Sequence, residues 1–98
     1  MLGVAAAREL LEDSLAMVRS EMAKLGLARS DAYHSLSAAQ AKVRQLEAKA
    51  ELLSNDEKSE LGDAQRAVEL LTRDIATFTR LVEAVKRAYT RIEGGLLA

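Results

Sequence analysis

An apolar residue recurs at alternating three- and four-residue steps along almost the whole of this chain. The first stripe runs Leu11, Leu15, Val18, Met22, Leu25, then Ala32, Leu36, Ala39, Val43, Leu46, Ala50 and Leu53, with Arg29 as its one polar member. The second runs Leu61, Ala64, Val68, Leu71, Ile75, Phe78, Val82, Val85, Tyr89, Ile92 and Leu96 without interruption. A mean repeat of 3.5 residues keeps one seam of a helix facing a partner helix, so the pattern predicts coiled-coil packing and not a lone amphipathic helix on a mixed core. Strands, which alternate with period two, do not fit it.

The absence of proline agrees with long helices, because proline removes a backbone donor and clashes with the preceding turn. The spacing predicts one helix over about residues 4–53, a turn at 54–56 and a second helix over about 56–93. Gly26 is the weak point of the first helix, since an interior glycine costs about 1 kcal/mol. The heptad nevertheless resumes in phase after it, which favours a continuous helix. A break near Gly26 would instead give a three-helix bundle. Ser54 followed by Glu57 forms a capping box, two side chains that satisfy free amides at the start of the second helix. Gly94-Gly95 is the expected stop signal.

A turn this short makes the helices antiparallel neighbours, and the expected architecture is an all-α two-helix coiled-coil hairpin in one domain. Setting Leu53 opposite Leu61 places Lys42 near Asp74 and Arg19 near Glu93. In that register the first helix overhangs the second. Val4, Leu10, Leu11, Leu15 and Met17 then have few partners within the chain, while Leu27, Leu52, Leu70 and Leu81 lie off the seam. Exposed leucines on this scale are relieved by association. Val4, Leu10, Leu11, Leu15, Met17, Leu27, Leu70 and Leu81 are therefore the candidate interface to a second copy or another helical protein, and an oligomeric helical bundle is the expected working form. Arg29, on the seam, is the candidate determinant of register, because a polar seam residue lowers stability but selects pairing; alternatively its stem packs and its guanidinium reaches water.

Composition narrows the function classes. Charge is nearly balanced at a net −1 and aromatic residues make up only 3%, which disfavours a nucleic-acid binder that needs a basic face and stacking platforms. Without cysteine there is no thiol nucleophile and no thiolate metal site. No apolar run is long enough to span a membrane. Met1 to Val4 begins an apolar stretch that lacks a basic leader and meets Arg8 and Glu9 at once, unlike a Sec signal. The expected location is the cytoplasm or, by a route other than Sec, outside it.

Few residues are candidates for chemistry. His34, the only histidine, falls opposite the seam, where a convex helix offers no cleft. Asp56, Glu60 and Asp63 share a face but supply fewer oxygens than Ca²⁺ requires, and capping explains them more simply. No catalytic, cofactor or metal residue is assigned, and the chain is expected to act by binding and not as an enzyme.

Tyr89 and Glu93 sit four residues apart near the end of the second helix, in Tyr-Thr-Arg-Ile-Glu. Together with a length of about a hundred residues and a helical hairpin, this resembles the small WXG-type proteins of type VII secretion, which carry Tyr-x-x-x-Asp/Glu near the C-terminus. The family's Trp-x-Gly turn is absent: this chain has no tryptophan, and its turn reads Leu-Ser-Asn-Asp-Glu. The resemblance implies a secretion-associated adaptor, small chaperone or secreted partner, with Tyr89 and Glu93 as its export signal. The other role suited to such a module is a structural subunit of a coat, tail or filament.

Overall fold

Two helices account for nearly all of the structure, a computed structural model that describes residues 3–97. Helix α1 spans Val4–Glu47, a short 3₁₀ turn covers Ala50–Leu52, and α2 spans Asn55–Leu97. There is no strand among the described residues. Met1 and Leu2, part of the apolar start, lie outside them.

Helix α1 runs unbroken through Gly26, as the in-phase heptad predicts. It ends six residues earlier than the stripe suggests. The Ala48 amide still donates to the Arg44 carbonyl at 3.1 Å, but the Lys49 amide donates to Leu46, a tighter i to i−3 bond. Ala50 then turns to φ +47°, the left-handed region that ordinarily goes to glycine. Leu53 follows in extended backbone. Nothing about an alanine announces this reversal, which is why the pattern carried the helix to Leu53.

Helix α2 starts where its capping box places it. The Glu57 amide donates to Ser54 Oγ at 3.1 Å, and the Ser54 amide donates to Glu57 Oε1 at 3.2 Å. Lys49 donates to the other Glu57 oxygen across the turn. These bonds hold the Glu57 carboxyl below its usual range, the Lys49 hydrogen bond contributing most.

The expected end at Gly94-Gly95 does not occur, and α2 continues to Leu97. Two contacts compensate for the glycines. Arg8 Nη2 donates to the Leu96 carbonyl at 3.0 Å, satisfying an acceptor of the last turn. Gly95 lies against Leu11, whose Cδ1 would be 3.8 Å from a methyl placed there. The helices are thus 44 and 43 residues long, and the overhanging arm expected of α1 is not formed.

Contacts divide the chain into two units, one of Met1–Ala28 with Phe78–Ala98, the other of Arg29–Thr77. In each, a segment of α1 packs antiparallel on a segment of α2. In the second unit Lys42 meets Glu60 at 3.2 Å and not Asp74. In the first, Arg19 meets the Tyr89 hydroxyl at 2.9 and 3.2 Å and not Glu93. Both corrections have one cause. Were the first helix to run on to Leu53 with Leu53 facing Leu61, residues 55–60 would project about 9 Å past its end with Ser54 alone to retrace them; α1 instead ends at Glu47 and the chain reverses at Ala50. A heptad seam looks the same after a slip of seven, so only the connection selects among the registers.

The seam itself is where the spacing puts it. Every member is buried or half-buried except Ala50, which belongs to the turn. The most buried apolar residues are Leu15, Ala32, Leu46, Ala64, Ile75 and Val82. Among the described residues, no side chain falls below 2% exposure. Each helix segment therefore buries one stripe and leaves the rest of its surface open.

Candidate interaction surface

The antiparallel pairing determines which side chains share a face. Lys42 and Glu60, which pair, each immediately precede a seam residue, Val43 and Leu61. Gly95, which lines one open cleft of ≈ 310 Å³ with Val4, Ala7, Arg8, Leu11 and Leu96, likewise precedes Leu96, and Ala7 stands one heptad before Ser14, which precedes Leu15. In both units, then, residues just before the seam gather on one flank. Residues just after it gather on the other: Gln40, Arg44, Gln65 and Glu69 line a second cleft with Val43 and Val68.

In the first unit the two flanks differ. The preceding flank carries Leu10, Met17 and Leu81, exposed by 55%, 69% and 44%. Between them stand small residues, Ser14, Ala84 and Ala88. Its ions stand among them: Glu21 and Lys24 pair with each other at 3.3 Å, and Arg91, two residues past the Tyr89 that meets Arg19, stands level with Met17. The following flank carries Glu12, Arg19, Glu83, Lys86 and Glu93. Glu83 and Lys86 approach to 3.7 Å there. One side of this unit is the more apolar, a plate interrupted by Glu21, Lys24 and Arg91, and the other is charged. In the second unit the preceding flank is polar, with Asp31, Lys42, Glu60, Asp63 and Asp74 around the exposed Leu70.

The eight candidate interface residues separate accordingly. Val4, Leu10, Met17, Leu27, Leu70 and Leu81 are exposed. Leu15 is buried and Leu11 half-buried, because the observed pairing brings the last turns of α2 alongside them, with Gly95 against Leu11; their expected lack of partners within the chain is corrected. Leu27 points outward, beside the plate. Tyr33, half exposed on α1, was not anticipated as a surface residue. The plate was missed for a different reason: Leu10 and Met17 are seven apart, which is visible, but their sharing a side with Leu81, Ala84 and Ala88 depends on the direction of pairing.

Arg29 is half-buried on the seam. Tyr89 is half-buried too; its hydroxyl accepts from Arg19, whose guanidinium carbon lies 5.5 Å from the ring centroid, a cation–π distance. This contact gives Tyr89 a packing role, while Glu93 is exposed one turn on. His34 is exposed. Asp63 pairs with Arg66 at 2.6 Å and Glu60 with Lys42, so the acidic face beside Asp56 is locally neutralised. Among the described residues no three His, Cys, Asp or Glu are grouped to hold a metal, and no helix is long and apolar enough to cross a membrane. No protein-family model matches the chain, nor does any curated protein or solved structure.

Proposed function

We propose that this chain is a non-enzymatic helical interaction module whose partner is another helical surface. The observation that carries the reading is the set of large apolar side chains each unit leaves exposed, Leu10, Met17, Leu27 and Leu81 in the first and Leu70 in the second. Leucines and a methionine left in water on this scale are relieved by association with another apolar surface.

Within that class, we read the chain as a small secretion-associated adaptor, chaperone or secreted partner. The support is the helical hairpin together with the Tyr89–Glu93 spacing near the end of α2. The missing Trp-x-Gly turn separates it from the proteins it resembles. A photo-crosslinking residue in place of Leu70 or Leu81, expressed in the native host, tests both levels. Adducts with one or a few exported proteins are expected. Adducts confined to a repeating particle would replace the adaptor reading with that of an assembly subunit. No adduct beyond those of a control at the exposed Ser37 would overturn the interaction reading itself.

A further inference from the structure

We infer, on the reading of the chain as an interaction module, that the outer face of α2 in the first unit binds an acidic helix of another protein. The charge of this face, its spacing and its relief select that partner.

The charge is arginine. Arg80 and Arg87 are seven residues apart, so they stand in line about 10.5 Å from each other along the helix. Arg91 follows one turn beyond Arg87, turned about 40° from it. All three are exposed. No acidic side chain of α2 shares the face. The two acids between Phe78 and Leu97 are Glu83 and Glu93, both on the flank that follows the seam, and Lys86 meets Glu83 at 3.7 Å. Among the described residues neither Arg87 nor Arg91 has a carboxylate partner. A guanidinium matches a carboxylate in geometry as well as in charge.

Spacing and relief point to a helix as the bearer of those carboxylates. Leu81, Ala84, Ala88 and Arg91 recur at steps of three, four and three, the track that a second helix follows when it lies alongside. Leu81 is exposed, and the two alanines let a neighbouring backbone approach. Arg80 and Arg87 border this track as charged residues border a coiled-coil seam, where they choose partners by sign. The complement is a helix with a small apolar stripe and a carboxylate at every seventh residue beside it. Other anionic surfaces match less of the face. A bilayer is gripped by several large apolar or aromatic side chains, and this face offers Leu81 alone. A nucleic acid needs a stacking platform, and the one aromatic ring nearby, Tyr89, is half-buried on the seam against Arg19.

The test is fluorescence anisotropy of the full chain with two labelled synthetic helical peptides. Each carries a leucine–alanine stripe, and they differ only at every seventh position beside it, Glu in one and Lys in the other. The Glu peptide is expected to bind about tenfold tighter or more, a preference that salt erodes. Arg87→Glu should weaken its binding about tenfold, whereas Lys58→Glu, the same reversal at an exposed position of the second unit, should leave it nearly unchanged. Both variants are checked for helix content by circular dichroism. Equal binding of the two peptides, binding of neither, or an Arg87→Glu variant that binds as well as Lys58→Glu overturns the inference. So does a preference for phosphatidylserine vesicles or duplex DNA over the Glu peptide, or a self-association in sedimentation that Arg87→Glu abolishes. Crosslinks from Leu70 to a host protein, with neither peptide bound, would remove the acidic partner and leave the interaction module standing.

Discussion

Replacing Ala50 by glycine should stabilise the protein, against the general expectation for glycine in a helical chain. Ala50 has φ +47° and an exposed methyl group. Holding an L-residue with a Cβ in the left-handed region costs about 1–2 kcal/mol, which glycine does not incur. Glycine returns part of this through its freer unfolded chain, about 0.4–1 kcal/mol. No packing is lost with an exposed methyl, so the net gain is about 0.5–1 kcal/mol. For a domain of this size that raises Tm by about 2–8 °C. Urea unfolding followed by circular dichroism at 222 nm reads the difference, with the midpoint moving and the slope held. The companion variant is Ala41→Gly, exposed inside α1, which should lose about 1 kcal/mol. If Ala50→Gly destabilises as much as Ala41→Gly, then Ala50 is an ordinary helical residue. Helix α1 would then run on toward Leu53 as the bare heptad suggests, and the turn and register described above would both be wrong.

The other end of α2 offers a test of the same kind. Gly95→Ala should stabilise by about 1 kcal/mol, because the helix continues through this position and the new methyl meets Leu11 at ordinary contact distance; thermal melts would show no gain if the helix stopped at Gly94. Ser54→Ala removes an acceptor for the Glu57 amide and should cost about 1 kcal/mol in urea unfolding, with Ser54→Thr nearly neutral. Glu57 titrates below its ordinary range in the folded chain, so its contribution is present above the unfolded carboxylate pKa and is lost as pH falls through the folded value. The stability gap between wild type and Glu57→Gln should therefore close as the solution is acidified below the ordinary carboxylate range, and a gap that persists in acid would contradict the role given to the Lys49 and Ser54 contacts. Arg29→Leu should raise the melting temperature by adding apolar burial on the seam, by about 1 kcal/mol for a half-buried side chain, and a fall would show the guanidinium to be required there.

The residues that face inward were legible from spacing alone. A side-chain repeat of 3.5 is a local property of the chain, so the stripe from Leu11 to Leu46 and that from Leu61 to Leu96 are the covered stripes of α1 and α2. The start of α2 was legible for the same reason, since a capping box is completed within four residues, Ser54 to Glu57. Continuity through Gly26 followed from the phase of the heptad on either side. What tertiary structure decided was everything that a repeat leaves degenerate. A seam slipped by seven residues buries the same kinds of side chain, so the pairings of Lys42 with Glu60 and of Arg19 with Tyr89 depended on the turn geometry at Ala50, which an alanine does not advertise. Gly94 and Gly95 are helical only because Leu11 and Arg8 reach the last turns of α2. The apolar plate likewise exists only once antiparallel pairing brings Leu10 and Met17 to the same side as Leu81, because two helices far apart in sequence share a face only through the packing between them.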